Sequence, residues 1–208
     1  MYIVTGGAGF IGSHIVKELN NRGISDILVV DDLTDGDKFI NLSDCTIHDY
    51  MDSEEFLEEV SSGLFEQPVT AILHQGACTD TMQSDGRYMM ANNYTFSKYL
   101  LRFAMENQVP LVYASSGATY GARRSFEEVP DNERPINVYG YSKLAFDQHV
   151  RTVMADAEST IVGLRYFNVY GPRETQKGRM ASMVYQLHRQ LKEDGVCKLF
   201  EGTEGYGD

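Results

Sequence analysis

The stretch TGGAGFIGS, residues 5–13, constrains the fold more than any other part of the chain. Gly6, Gly9 and Gly12 stand three apart between an apolar run, YIVT (2–5), and a segment of helical periodicity, FIGSHIVKELNNRG (10–23). Apolar residues in that segment fall at 10, 11, 15, 16 and 19, and Gly23 is a plausible stop. A strand entering a helix through G-x-x-G-x-x-G uses each glycine differently. Gly6 permits the tight turn, Gly9 lets backbone amides approach a pyrophosphate, and Gly12 lets the helix pack closely on the sheet. The phosphates then sit at the positive helix end, where Phe10 and Ile11 open the first turn. Asp31 and Asp32 close the next apolar run, near the ~20-residue spacing of a dinucleotide fingerprint. Asp31 is placed to accept from a ribose 2′-OH and to repel a 2′-phosphate; Lys38, just beyond, is placed to offset that repulsion. The loop DDLTDGDKF therefore fits NAD or NADP.

The rest of the chain keeps the same alternation. DILVVDD (26–32) reads as a strand, EEFLEEVSSG (54–63) as a helix, and VTAILHQGA (69–77) as a strand with the turn after it. Residues 84–108 are helical, PLVYASS (110–116) is a strand, NVYGYSKLAFDQHVRTVM (137–154) is helical, and STIVGLRYFNVYG (159–171) begins as a strand. Strands and helices in this rhythm predict an α/β fold, a doubly wound parallel Rossmann sheet with right-handed crossovers. Residues 1–170 are expected to form the dinucleotide-binding domain. Residues 171–208 run through a polar loop, an amphipathic helix and one strand, VCKLFEGTEGYGD, that fades into glycines. One helix and one strand are too few to fold alone, so this tail reads as the start of a smaller, truncated substrate-binding lobe.

Composition narrows the partners. Eighteen basic against thirty acidic residues give a net charge of −12, which argues against nucleic acid and anionic membranes. Cys45, Cys78 and Cys197 lie far apart without a CxxC pair, and the histidines at 14, 48, 74, 149 and 188 lack metal-ligand spacing, so neither disulfides nor a metal site are expected. No apolar run approaches a membrane span. The chain goes straight into a strand, which predicts no signal peptide and a cytoplasmic home.

Two further elements carry chemistry. In Tyr139-Gly-Tyr-Ser-Lys143, residues four apart share a helix face. Positive charge near the phenol would favour phenolate and bring Tyr139 toward the range of a general base. Ser115-Ser116-Gly117 ends a strand, and strand ends in open α/β sheets face the ligand crevice. A serine hydroxyl there can polarise a substrate oxygen.

Glycine run, strand-end serine and YxxxK, in this order, resemble the extended short-chain dehydrogenase/reductase family that acts on nucleotide sugars. HQGA (74–77) looks like its cofactor-side turn, NNYTFS (92–97) like its Asn-containing helix start, and RYFNVYGPR (165–173) like its strand into the substrate loop. DGRYMMANNY, KGRMAS and LFEGTEGYG are similar to one branch of the family: epimerases that invert C6″ of ADP-D-glycero-β-D-manno-heptose in lipopolysaccharide core synthesis. The resemblance covers essentially the whole chain. It implies tightly bound NADP, transient oxidation and re-reduction at C6″, an ADP-sugar substrate and a homo-oligomer, a pentamer in the family.

The same resemblance implies residue roles. Tyr139 and Lys177 would be the two proton handlers, Ser116 would polarise the oxygen, and Lys143 would lower the tyrosine pKa. Cofactor contacts would come from Gly6, Gly9, Phe10, Ile11, Gly12, Asp31, Asp32, Lys38, Ser53, Gln75, Gly76, Ala77, Cys78, Thr79, Asn92, Lys143, Val169 and Lys177. Substrate contacts would come from Ser116, Asn168, Arg179, Gln186, Phe200, Glu201, Gly202 and Thr203. Asp32 stands where the family often has Asn, and Ser53 where some members have a lysine for the 2′-phosphate, which leaves NAD possible. Gly117 replaces a usual alanine and Gln186 a common histidine. Dehydratases of the superfamily place an Asp-Glu pair where this chain has Gly117 and Ala118, so elimination lacks its carboxylates. A UDP-sugar 4-epimerase and a non-catalytic dinucleotide sensor are the remaining alternatives; a sensor would typically lose Tyr139 or Lys143, and both are present.

Overall fold

The structure is a computed structural model and describes residues 1–199. The chain divides into two compact units, Met1–Phe167 and Asn168 onward. In the first unit the order is β1 (Tyr2–Thr5), α1 (Phe10–Asn21), β2 (Ile27–Asp31), β3 (Asp49–Asp52), α2 (Ser53–Ser62), β4 (Ala71–His74), α3 (Gly86–Met90), α4 (Phe96–Glu106), β5 (Leu111–Ser116), α5 (Val138–Val153) and β6 (Ile161–Tyr166). The strands form one sheet in the order β3-β2-β1-β4-β5-β6, and every pairing is parallel. Strand order reverses between β1 and β4, and the crevice outside their carboxyl ends is where ligands bind in such sheets.

The two-residue period of the strands builds the core. In β1 and β2, Ile3, Leu28 and Val30 point to one face and pack with Phe56 of α2, Leu100 and Leu101 of α4 and Phe146 of α5. Val4, Ile27 and Val29 point to the other face and pack with Val16 and Leu19 of α1. All five residues of β2 are buried, as expected of a strand covered on both faces.

β3, DYMD, is an element that the sequence pattern does not announce. It is short, half-exposed and lies at the sheet edge, ordered by its ladder with β2 (Leu28 to Asp31 against Asp49 to Asp52). The helical stretch at 84–108 is also not uniform. A π-helical turn, Ala91–Thr95, joins α3 to α4 and inserts an extra residue into the turn.

In the second unit, α6 (Met183–Asp194) starts at Ser182, whose hydroxyl accepts from the Tyr185 amide at 3.1 Å, and stops at Gly195 in the left-handed region. Ahead of it, buried Glu174 accepts from the Gly171 amide (3.0 Å), the Ser182 amide (2.7 Å) and the Ser182 hydroxyl (3.0 Å). Residues 196–199 form no strand, contrary to the sequence pattern. A strand needs a neighbour to take its ladder, and the second unit offers none among the described residues.

Candidate active site

At the switch point the glycine run forms a cradle. Gly6 has φ +65°, and a Cβ there would lie 2.6 Å from the Gly76 amide nitrogen. A Cβ on Gly12 would lie 2.0 Å from the Gly6 carbonyl oxygen, so backbone fills the space where side chains would stand. Gly9 caps α1 with no side chain to bond the first-turn amides, and no acid lies in that turn. By contrast α2, α3, α5 and α6 begin at Asp52, Asp85, Asn137 and Ser182, each accepting a first-turn N–H. The start of α1 therefore offers its amides and positive dipole end to an anion, with Phe10 and Ile11 in that first turn.

Asp31, buried at the end of β2, accepts from the Ala8 amide at 2.8 Å and from its neighbour Asp32 at 2.8 Å. Lys38 reaches back to the same carboxylate at 2.9 Å and to the Asp32 carbonyl at 2.6 Å, so it is not a solvated bystander. Ser53 opens α2 beside Asp52, which pairs with Asp31 across the strands.

On the β4 side, Gln75, Gly76, Ala77, Cys78 and Thr79 follow the strand end. His74 is buried between the Thr5 hydroxyl (2.6 Å) and the Ser97 hydroxyl (2.8 Å). Burial, with some help from the Lys143 charge, pushes it down to about 3, so the ring is neutral. The Gln75 side-chain oxygen is buried without a hydrogen-bond partner. An uncapped helix start, a cradle that any Cβ would fill and an orphaned amide oxygen fit a dinucleotide with its carboxamide ring.

Asn92, expected from sequence to touch the cofactor, donates its side-chain amide to the Tyr88 carbonyl. The inward-facing residue is its neighbour Asn93. That side chain accepts from the Cys78 amide (2.8 Å) and donates to the Cys78 carbonyl (2.9 Å) and the Ser142 hydroxyl (3.1 Å). It ties the cofactor-side loop to α5, next to Lys143. A doubled asparagine is visible in sequence; Asn93 is the buried one of the two.

Ser116 at the end of β5 and Tyr139 at the start of α5 come together: the serine hydroxyl accepts from the Ala118 amide at 3.1 Å and acts on the protonation of the phenol. Asn137 fixes the start of α5 by accepting from the Gly140 amide at 2.8 Å. The expectation that Lys143 lowers the tyrosine pKa is not met in this structure. Burial holds the phenol above its ordinary value, the Ser116 hydroxyl pulls it part of the way back, and Cys78 adds a push upward. Lys143 is itself buried and donates to the Ala114 carbonyl at 2.9 Å, and burial brings it down to about 8.

Asn168, Val169, Lys177, Arg179 and Gln186 belong to the second unit. Lys177 and Arg179 lie in the turn Thr175–Met180, whose start is tied by the Lys177 amide to the Glu174 carbonyl at 3.1 Å. Gln186 donates to the Gly178 carbonyl at 2.7 Å. Phe200, Glu201, Gly202 and Thr203 lie outside the described residues. Among the described residues no helix is long and apolar enough to cross a membrane.

A Rossmann crevice with a glycine cradle and a Ser–Tyr pair at the next strand end defines a dinucleotide-dependent enzyme class. The chain belongs to the NAD dependent epimerase/dehydratase family, whose family model matches residues 2–206. It is 54% identical over 208 residues, its full length, to ADP-L-glycero-D-manno-heptose-6-epimerase of Alkalilimnicola ehrlichii, and covers 65% of that relative. Among solved structures it is similar to the ADP-L-glycero-D-manno-heptose-6-epimerase of Helicobacter pylori, with a TM-score of 0.83 and 32% identity over 96% of this chain and 65% of the other. A UDP-glucose 4-epimerase of Thermotoga maritima, solved with UDP-glucose, has a TM-score of 0.76 at 28% identity, over 91% of this chain and 62% of its own. The chain thus spans about two thirds or less of the length of these relatives.

Proposed function

We propose that this protein is a nucleotide-sugar epimerase that inverts C6″ of ADP-D-glycero-β-D-manno-heptose to the L-glycero epimer, with bound NADP and as a homo-oligomer. NAD is the second choice of cofactor. The observation that carries the reading is the pairing of Ser116 and Tyr139 at the strand end, in the same sheet as the glycine cradle. The 54% identity to an ADP-heptose epimerase supports the substrate.

The chemistry follows from the substrate. C6″ carries an alcohol and no neighbouring carbonyl, so its C–H is not acidic and direct deprotonation is costly. A nicotinamide held in the crevice supplies a reversible hydride acceptor. Ser116 holds the substrate oxygen, and Tyr139 takes and returns its proton. With burial holding its pKa up, the phenol is in its donating form. To work as a base it must be brought down, and Lys143, one turn away, is placed to do so. Lys177 is the second proton handler for attack on the opposite face. Asn168, Arg179 and Gln186 hold the ADP-sugar, with residues 200–203. Asp31, Asp32 and Lys38 face the adenosine ribose, where the Lys38 ammonium offsets the repulsion between Asp31 and a 2′-phosphate.

Adding ADP-D-glycero-β-D-manno-heptose to the protein and following the C6″ epimer ratio by NMR tests the reading. Conversion toward a mixture of epimers is expected, with none for UDP-glucose. An unchanged ratio with dinucleotide bound would mark a sensor, and turnover of the UDP-sugar a 4-epimerase.

A further inference from the structure

Helix α5 meets β5 through three side chains spaced four apart: Tyr139, Lys143 and Asp147. Tyr139 meets Ser116, and Lys143 donates to the Ala114 carbonyl. Asp147, buried, accepts from the Tyr113 hydroxyl at 3.0 Å and the Ser115 hydroxyl at 2.8 Å. Its Oδ2 also accepts from Nε and an NH2 group of Arg165 on β6, at 3.3 and 3.1 Å. Arg165 continues to Glu133, which pairs with Arg151 as well, and its guanidinium lies 4.8 Å from the Tyr120 ring centroid. Three successive residues of β5, Tyr113 to Ser115, are thus bonded to α5, and the Asp147 carboxylate bonds neither Ser116 nor Tyr139.

We propose that Asp147 is a positioning residue for the site: its carboxylate fixes the end of β5 against α5 and, one helical turn from Lys143, keeps that buried ammonium charged. This rests on the reading above that Lys143 serves the reaction. The ammonium bonds a neutral carbonyl, so Asp147 acts on it through space. The other groups bearing on Lys143 do not supply the missing charge. His74 of β4 is neutral, and Tyr139 is a protonated phenol. On Asp147 itself bear Tyr113 of β5, Arg165 of β6, Arg151 of α5 and, through the two arginines, Glu133. Burial drives Lys143 down while Asp147 works the other way.

The test is an NMR titration of the Lys143 side chain in the cofactor-free, ¹³C-lysine-labelled chain, with the resonance assigned by its loss in Lys143→Arg. In Asp147→Asn the midpoint is expected to fall by about one pH unit, a tenfold loss of proton affinity. In Asp147→Glu it is expected to return toward the parent. Circular dichroism reports whether each variant is folded. A folded Asn variant with an unmoved midpoint, or a Glu variant that titrates like the Asn variant, overturns the proposal. A brace without electrostatic reach would lower the melting temperature and leave the titration alone. Should the Asn variant not fold, Tyr113→Phe with Ser115→Ala is read instead. That pair strips two donors from the carboxylate while keeping its charge, so the midpoint is expected to rise, and an unchanged or lowered value contradicts the proposal. No turnover is needed, so failure here is separate from failure of the epimerase reading.

Discussion

The two halves of the crevice are built in opposite ways. At β1 and α1 the site is made by what side chains leave out: glycines that let backbone touch backbone, and a helix start without a cap. At β5 and β6 it is made by what side chains bring in, a buried seam of phenols, hydroxyls, carboxylates and an arginine around Asp147. The first half suits a ligand that arrives with its own charge and wants bare amides. The second suits a reaction in which protons move, because charges there are set by neighbours and shielded from water.

Breaking the second half is expected to cost the most. Tyr139→Phe removes the phenolic proton and keeps the ring, so epimer interconversion should fall by about 10²–10⁴-fold. Dinucleotide affinity, measured by titration, should stay near that of the parent. Equal losses in both would mean that the two halves are not separable.

Breaking the first half gives the reverse pattern. Gly12→Ala places a methyl 2.0 Å from the Gly6 carbonyl, too close for a flexible neighbour to relieve. A loss of about 1–3 kcal/mol in urea unfolding is expected, with cofactor binding lost in the fraction that still folds. An affinity like the parent's would show that the cradle is not where the phosphates lie.

His74 sharpens the comparison through pH. Its folded value is about 3 against 6.5 for a free ring, so between those values the unfolded chain binds the extra proton. Stability is therefore full above about pH 6.5 and drops as pH falls toward 3, by about 1.4 kcal/mol per unit from this group. Urea midpoints taken from pH 7 to pH 5 should show that slope, and His74→Gln, which cannot take up a proton, should flatten it.

The smallest effect belongs to Lys38. It is partly exposed and paired with Asp31, so its contribution to folding is below about 1 kcal/mol. Lys38→Ala should leave the melting temperature almost unmoved and weaken NADP more than NAD. Equal weakening would remove the case for a 2′-phosphate beside it.

The contrast between the halves also explains what the sequence makes legible. Gly6, Gly9 and Gly12 act within one short stretch, and the alternation of apolar runs with helical patterns is local, so cradle and sheet can be read in advance. Asp147, Arg165 and Glu133 come from α5, β6 and the loop before α5, and nothing in their spacing announces that they meet. Asn93 escapes because its partners, Cys78 and Ser142, lie 15 and 49 residues away along the chain. β3 escapes because an edge strand carries little apolar pattern of its own. Tyr139 and Lys143 were legible as a pair. Their mutual charge effect was not, because burial outweighs a lysine that bonds a strand carbonyl.

The most direct test of the central claim follows the C6″ hydrogen itself. ADP-D-glycero-β-D-manno-heptose deuterated at C6″ is incubated with the protein in ordinary water, and both epimers are analysed by NMR. Retention of deuterium at C6″ in the L-glycero product is expected, with formation of that product abolished in Tyr139→Phe. Replacement of the deuterium by solvent hydrogen would contradict oxidation and return of the same hydride at this site.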